Sequence, residues 1–253
     1  MSSLQVLVQH PLYRQLLKFA TQADAREKVL RLLQYLVRLV RSVVFRRALS
    51  LSPEWVRLLP ELQTQFTLAR KPLRALKPLA HLNAFSACVS DELADPVLRT
   101  AEAVKQAGLV LFFSLDVVQW LKLLGVLGGR GVNERAGRLG VVQHAGEYAS
   151  AAWCLALAGG LVKNGRQAQV LAARRWAKGP REPGQTKPAS AGATAAPAAL
   201  SADTVLRDAV KNALDMVIAL NLYCKLGLGD GVVGACGVAT SVLGLQDLWN
   251  AAR

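Results

Sequence analysis

The sequence lacks the residue patterns on which most enzyme and metal sites depend. No stretch matches a P-loop, a nucleophile elbow or an HExxH metal motif. The three histidines share no ligand spacing and the four cysteines form no CxxC pair, which argues against a zinc site and a disulfide framework. We therefore expect a protein that is not an enzyme and that uses no cofactor or metal.

Acidic residues are also scarce, because 31 Lys or Arg face only 17 Asp or Glu and give a net charge of +14. Residues 1–80 hold fourteen of these basic residues and four of the acids, so most of the excess lies in the first third of the chain. Yet 52% of the residues are hydrophobic. Strong basicity beside hydrophobic bulk indicates a membrane with an anionic surface, although basicity by itself suits nucleic acid equally well.

No convincing run of alternating polar and apolar residues is present, whereas helical periodicity recurs along the chain. We predict an all-α, membrane-associated helical bundle with amphipathic N-terminal helices and a Gly-rich C-terminal transmembrane helix. Four regions are expected: a basic amphipathic region at 1–92, a central, partly membrane-embedded region at 93–178, a disordered linker at 179–200, and a C-terminal helix and membrane segment at 201–253.

Several helix boundaries follow from local chemistry. A long amphipathic helix should run from about Asp24 to Leu49, with a basic side opposite an aliphatic side. Pro60 should interrupt a helix, and Gly159-Gly160 should lie near the end of another. Helix starts are expected where a capping residue or a first-turn proline is present: Ser52-Pro53, Asp95-Pro96, Asn133, and Ser201 or Asp203.

The segment from Phe66 to Phe85 combines a purely basic face with a leucine-rich face on one helical wheel. This pattern is typical of a helix that lies in a membrane interface, but an ordinary surface helix packed on a core shows it too. The residues alone leave both interpretations open. Because Pro72 and Pro78 would each cost about 3 kcal/mol in an uninterrupted helix, we expect a segmented element with breaks before both prolines.

The most membrane-like segment is Gly231 to Gln246, which contains sixteen residues without a charge. Apolar residues at 226–228 and 248–249 would bring it to the ~20 residues that a spanning helix needs. The alternative is a glycine-rich buried helix of a soluble bundle. Since small residues let helices approach closely in lipid, we expect helix packing at five positions: Gly227, Gly231, Gly234, Gly237 and Ser241.

Four stretches, in this order along the chain, resemble the peroxin-11 family of peroxisomal membrane proteins. They are Ala25-Arg26-Glu27-Lys28 with Arg31 and Gln34-Tyr35; Leu68-Ala69-Arg70-Lys71 with Leu73-Arg74; Leu111-Phe112-Phe113 through Trp120 with Glu134-Arg135-Ala136; and a block of Asp215, Leu226-Gly227, Gly234, Gly237, Ser241 and Gly244. The stretch at 111–136 resembles plant and algal members most. The likeness extends over nearly the whole chain outside the linker.

The resemblance implies a protein of the peroxisomal membrane that elongates and tubulates the organelle and promotes its division and proliferation. It favours leaflet insertion by the 66–85 segment, with two sets of residues: Arg70, Lys71, Arg74 and Lys77 would hold anionic headgroups, while Leu68, Leu73, Leu76 and Leu79 would lie between acyl chains. The implied partners are anionic membrane lipids, further copies of the chain, organelle fission factors (an adaptor and a dynamin-related GTPase) and the import receptor for peroxisomal membrane proteins.

Two other functions fit parts of the sequence. A solute channel of the peroxisomal membrane, a role also discussed for this family, would use Asp116, Lys122 and Glu147 to line a pore. Asp116 and Glu147 could instead form a buried pair inside a helix bundle. The third hypothesis is a soluble basic bundle that binds nucleic acid, but the lack of a base-reading motif and the apolar C-terminal segment weigh against it.

Overall fold

The structure, a computed structural model, describes residues 8–46, 53–91, 93, 95–128, 134–177 and 201–253. Within these ranges the chain forms α-helices and no strand, so the all-α prediction is confirmed. The linker predicted at 179–200 lies outside the described residues. The helices are α1 (Pro11–Thr21), α2 (Ala23–Arg46), α3 (Pro53–Arg74), α4 (Lys77–Ser90), α5 (Pro96–Leu123), α6 (Glu134–Gly137), α7 (Gly140–Gln143), α8 (Ala145–Ala177), α9 (Ala202–Tyr223) and α10 (Asp230–Ala251).

Two of the predicted helix starts lie at the predicted residues. The Asp95 carboxylate accepts hydrogen bonds from two backbone N–H groups in the first turn of α5, at 2.9 and 3.2 Å. The Ser201 hydroxyl accepts one from the first turn of α9, at 3.1 Å. A third helix begins at Pro53, as expected, whereas Ser52 and Asn133, the other candidate caps, lie outside the described residues.

The prolines divide the 66–85 segment differently from the expectation. α3 continues through Pro60 and Pro72 to Arg74, so the interruption predicted at Pro60 and the break predicted before Pro72 are both wrong. The helix is broken at residues 75–76 instead. The break expected before Pro78 is present, because α4 begins one residue earlier and Pro78 occupies its first turn, where a missing N–H leaves no helical bond unmade.

Tertiary contacts explain why α3 tolerates Pro72. Lys71 and Arg74, on either side of it, both form ion pairs with Asp116 of α5, at 2.7 and 2.8 Å. A proline inside a helix costs about 3 kcal/mol, and removing one partner of a buried ion pair costs about as much. The helical turn around Pro72 is therefore held by α5, and the chain breaks only after the last of these pairs.

Small residues bring α5 and α8 into close contact. α8 runs for 33 residues to Ala177, so the expectation that Gly159-Gly160 lies near the end of its helix is wrong. A Cβ at Gly159 would lie 2.8 Å from the backbone oxygen of Ala101, and one at Gly108 would lie 2.8 Å from the backbone nitrogen of Ala156. These glycines are packing positions in the middle of both helices.

α10 packs against α2 in the same way, and this contact joins the two ends of the chain. A Cβ at Gly234 would lie 2.9 Å from the backbone nitrogen of Leu39, and one at Gly231 would lie 2.8 Å from the hydroxyl of Ser42. Gly237 lies directly against the ring of Tyr35. Within the part of the chain that the structure describes, α10 is the one helix long and apolar enough to cross a membrane.

Two of the expectations for this segment need correction. Gly227 lies in the non-helical turn before α10, with a φ of +67°, and a Cβ there would meet nothing within 4 Å. It therefore serves the turn, where glycine is favoured by the positive φ, and takes no part in helix packing. Residues 226–228 do not extend α10, which begins at Asp230 and reaches 22 residues through its C-terminal end.

The bundle buries charged side chains and exposes aliphatic ones. The polar and aliphatic sides of α2 separate as predicted, but the polar side faces the other helices and the aliphatic side faces outward. The outward side chains are Val29, Leu33, Leu36, Val40 and Val43. Water-soluble proteins show the reverse distribution, whereas lipid favours apolar side chains outside and polar groups paired inside.

Gly234→Ala should destabilise the protein, because the new methyl group would force the backbones of α2 and α10 apart. Overpacking of this kind costs about 1–3 kcal/mol. Each kcal/mol lowers the melting temperature by roughly 2–4 °C for a chain of this size. Thermal unfolding of the purified full-length chain in detergent micelles measures the change.

Gly165→Ala is the matched control, since a Cβ at Gly165 of α8 would meet nothing within 4 Å. Alanine is the better helix former by about 1 kcal/mol, so this variant should melt at the same temperature or slightly higher. An equal loss in both variants would contradict the close approach of α2 and α10.

Candidate functional site: a basic cavity between the helices

The polar side of α2 forms ion pairs with the last two helices. The guanidinium of Arg31 pairs with Asp215 of α9 and donates a hydrogen bond to the hydroxyl of Thr240 of α10, at 3.1 Å. Arg38 and Arg41 both pair with Asp230 at the start of α10. These contacts orient α2 with its basic side toward the interior.

The four basic residues of the 66–85 segment also point to carboxylates of the same chain. Arg70 donates two hydrogen bonds to Glu27 of α2, at 2.8 and 2.6 Å. Its neighbours on the same face complete the set of pairs: Lys71 and Arg74 with Asp116, and Lys77 with Asp24. The structure therefore gives these side chains internal partners in place of the expected headgroups.

Headgroup binding by these residues stays a prediction, and it would require the internal pairs to open. Arg70 and Lys71 are only 7% and 5% exposed, so a headgroup cannot reach either side chain in this arrangement. The core-packing interpretation expects one face of the segment to pack on other helices, and one face does. The face that packs is the basic one. The leucine face lies outside.

The four leucines expected to insert into a leaflet lie on the outer side of the bundle to different degrees. Leu76, at the break between α3 and α4, is 76% exposed, and Leu79 is 66% exposed. Leu68 and Leu73 are partly buried. Leu82 continues the exposed row along α4. Within the 66–85 segment, the most exposed leucines thus lie around the break and along α4.

A cavity of about 810 Å³ lies between α2, α3, α5, α8 and α9. All three residues of the pore hypothesis, Asp116, Lys122 and Glu147, line it. The buried pair suggested for Asp116 and Glu147 does not form, because Asp116 is occupied by Lys71 and Arg74. Glu147 instead pairs with Lys225 at 3.0 Å on the exposed side.

Charge is unevenly distributed in the cavity wall. Nine basic side chains line it: Lys28, Arg31, Arg38, Arg70, Lys71, Arg74, Lys77, Lys105 and Lys122. Four carboxylates face them: Glu27, Asp116, Glu147 and Asp215. The wall also contains aromatic rings, and the guanidinium carbon of Arg74 lies 5.9 Å from the centre of the Phe112 ring.

The accessible carboxylates at the edges of the bundle are held ionised by basic neighbours. Hydrogen bonding and charge from Lys225 lower the pKa of Glu147 below its ordinary value, with a smaller contribution from His144. A hydrogen bond from Arg166, at 2.7 Å, lowers the pKa of Asp95. The Asp95 contact ties the start of α5 to the second half of α8.

Sequence reasoning missed Glu27 and Asp215 as members of the site, although both occur in the stretches that carry the family resemblance. Their partners are distant in sequence, so spacing could not reveal them: Arg31 is separated from Asp215 by 184 positions. The available signal was the presence of an acid on an otherwise basic helix face, as at Glu27. Within the described ranges, no group of three or more His, Cys, Asp or Glu side chains could hold a metal ion.

The family model for peroxisomal biogenesis factor 11 (PEX11) matches residues 13–249. The chain belongs to this family. All four stretches that suggested it fall within the matched range, and so do the helices that line the cavity. The match says nothing about the likeness of residues 111–136 to plant and algal members, which stays a prediction.

Curated relatives agree with the family model over almost their full length. The chain is 33% identical to peroxisomal membrane protein PMP30A of Candida boidinii, covering 98% of each protein. It is 33% identical to peroxisomal membrane protein PMP27 of Saccharomyces cerevisiae, over 97% of the chain and 98% of the relative. Identity to human peroxisomal membrane protein 11B is 27%, over 91% and 95%. No solved structure gives a significant match. The chain is thus a protein of the peroxisomal membrane.

Asp116→Asn should destabilise the fold, because it leaves the ammonium of Lys71 and the guanidinium of Arg74 buried without their carboxylate. Removing one partner of a buried ion pair costs about 3–5 kcal/mol. The melting temperature of the purified full-length chain in detergent should fall accordingly.

Glu147→Gln serves as the control for this change, since it removes one carboxylate from the same cavity wall but from an exposed ion pair. It should have little effect on melting, because exposed pairs contribute little to stability. A fall for Asp116→Asn no larger than that for Glu147→Gln would contradict the stabilising role of the buried cluster.

Proposed function

We propose that this protein remodels the peroxisomal membrane, elongating and tubulating it before the organelle divides, and that it does so without enzymatic chemistry. The observation that carries the proposal is the row of exposed leucines around the break between α3 and α4. Leu79 and Leu82 project from the short helix α4, and Leu76 directly precedes it. The opposite face of α4 is held to the bundle by the ion pair of Lys77 with α2 and by the side-chain contact of His81 with α5. Membership of the biogenesis factor family supports it independently.

The distribution of side chains supports immersion of the bundle in lipid. Exposed aliphatic residues occur on every long helix, while the buried charges form ion pairs with one another. Each leucine transferred from water to an apolar phase contributes roughly 1.5–3 kcal/mol. Such a surface binds strongly to acyl chains, and the outer leucines of α4 would enter a leaflet without any change in the internal pairs.

Asymmetric insertion is the physical route from this surface to curvature. α4 has 14 residues, which correspond to about 21 Å of helix, and this is too short to cross a hydrocarbon core of about 30 Å. A helix of this length that lies in one leaflet displaces lipid on that side only, so the membrane bends away from it. α4 stays packed on α5, where His81 contacts the side chain of Gln106 at 2.8 Å and stacks on the ring of Phe113. The leucines on its other side are therefore the part that can enter the leaflet.

The partners implied by the family resemblance remain part of this proposal. Self-association would concentrate the inserted helices, since one helix displaces little lipid. Recruitment of an adaptor and a dynamin-related GTPase would follow elongation and complete division. The import receptor for peroxisomal membrane proteins would deliver the chain to the membrane, where anionic lipids would surround it.

Leu76→Ser combined with Leu79→Ser should reduce tubulation, because the two most exposed leucines near the break would no longer favour the acyl region. The full-length chain reconstituted into anionic vesicles is suitable for the measurement, with the tubulated fraction counted by electron microscopy. Because both side chains are exposed, the variant should melt like the wild type.

Leu123→Ser with Leu124→Ser is the matched control, since these leucines are exposed to a similar degree at the end of α5, away from α4. Tubulation should persist in the control. A double variant at 76 and 79 that tubulates as well as the wild type would reject the wedge role of α4.

The cavity favours a second candidate function, passage of solutes through the peroxisomal membrane. Its volume of about 810 Å³ and the charged side chains of its wall are suited to small hydrophilic molecules. Asp116 is poorly suited to a conductance test, because its substitution should disturb the fold. Lys122 is the better position, since its side chain is exposed and its ammonium donates a hydrogen bond to the backbone oxygen of Gln143, at 3.1 Å.

Lys122→Glu should shift the selectivity of any conductance toward cations, because it exchanges a positive for a negative charge in the cavity wall. The reversal potential in planar bilayers under a salt gradient measures this. Arg175→Glu, at the exposed end of α8, makes the same change of charge outside the cavity and should leave the reversal potential unaltered. Equal reversal potentials in the wild type and Lys122→Glu would reject the cavity as the pathway.

A further inference from the structure

The cavity wall has more positive charge than its own carboxylates balance. Nine basic side chains face four acids, and three of these acids are already engaged by buried bases: Glu27 by Arg70, Asp116 by Lys71 and Arg74, and Asp215 by Arg31. Among the described residues, no carboxylate lies within ion-pair distance of Lys28 or Lys122. Arg38, Lys77 and Lys105 pair with carboxylates outside the wall. The uncompensated positive charge of the cavity is therefore that of Lys28 and Lys122.

Burial also keeps hydrogen-bond donors of the wall away from water. Arg31 is 6% exposed and the side chain of Arg74 is 12% exposed. The Nε groups of Arg31 and Arg74 are buried, and no hydrogen-bond partner for either is found among the described residues. Buried N–H donors without an acceptor are rare and unfavourable. An anion with several oxygen atoms would supply both the missing charge and the missing acceptors.

Aromatic side chains in the wall indicate that such an anion would also carry an organic part. Tyr35, Phe112, Phe113 and Trp153 all line the cavity, and Phe112 stacks on Trp153 with ring centres 5.5 Å apart. Guanidinium groups lie over two of these rings, those of Tyr35 and Phe112. A volume of about 810 Å³ lies within the range of pockets that hold cofactor-sized ligands.

We propose that this cavity binds a phosphate-bearing organic anion, with Lys28, Arg31, Arg74 and Lys122 around the phosphate oxygens and the aromatic rings against the organic part. Phosphate is the group that best matches clustered guanidinium and ammonium donors, because it accepts several charge-assisted hydrogen bonds at once. The anion could reach the cavity from two sources, as a soluble organic phosphate or as a phosphorylated lipid headgroup. The binding depends neither on remodelling nor on conductance.

The test uses the full-length chain in nanodiscs made of phosphatidylcholine alone. ATP is the soluble probe and dioctanoyl phosphatidylinositol 4-phosphate is the lipid probe, each titrated by isothermal calorimetry at physiological salt. Saturable binding of one probe to the wild type is expected, and the tighter probe identifies the source. Inorganic phosphate should bind at least tenfold more weakly than that probe, since it lacks the part that the aromatic rings contact.

Lys28→Gln combined with Lys122→Gln should weaken binding of the tighter probe roughly tenfold or more, because each lysine contributes a charge-assisted contact. Arg175→Gln removes a positive charge outside the cavity and should change the affinity less than twofold. Equal binding by the double variant and the wild type, or a loss in Arg175→Gln as large as in the double variant, would overturn the proposal.

A second measurement needs no variant. A ligand that binds only the folded state raises the melting temperature as its concentration increases, so ATP or the lipid probe should stabilise the wild type in phosphatidylcholine nanodiscs. Absence of both calorimetric binding and a melting shift for the two probes would overturn the proposal.

Discussion

The buried ion pairs between helices determine which sides of α2, α3, α5 and α9 face inward. Arg31 with Asp215, Arg70 with Glu27, and Lys71 with Asp116 link α2, α3, α5 and α9 through charges that are almost fully removed from solvent. Because an unpaired buried charge is so unfavourable, α2 and α3 must turn their basic faces to the carboxylates of neighbouring helices. The aliphatic faces are then left outside, and the outer surface of the bundle follows from its interior.

Local features of the fold could be predicted from the sequence because they depend on neighbouring residues. Asp and Ser side chains cap a helix through hydrogen bonds to its first turn, as Asp95 and Ser201 do. The two faces of α2 follow from periodicity alone. Periodicity cannot say which face is buried, since that depends on the solvent. Average hydropathy identifies α10 alone among the described helices as a candidate membrane span. In α5, inward charges such as Asp116 lower the average hydropathy although the outer face of the helix is apolar.

The candidate site was less predictable, because it is assembled from residues far apart in the chain. The spacing of Arg70, Lys71 and Arg74 reveals a basic face, but nothing in that segment indicates the carboxylates of Glu27 and Asp116 that meet it. Proline rules failed at Pro72 for the same reason, since the contacts to α5 outweigh a local penalty. Small residues were recognised in α10 but not at Gly108 and Gly159, where only the approach of two backbones shows their role.

The same basic residues cannot serve a membrane surface and the bundle interior at once, and the energies favour the interior. A Lys or Arg near an anionic surface gains about 1 kcal/mol, whereas separating a buried ion pair costs about 3–5 kcal/mol. Moving the four bases of the 66–85 segment to headgroups would therefore cost more than it returns, because two buried acceptors, Glu27 and Asp116, would lose their partners. Leaflet insertion through the outer leucines needs no such exchange, so it is the route to curvature that this fold permits at least cost.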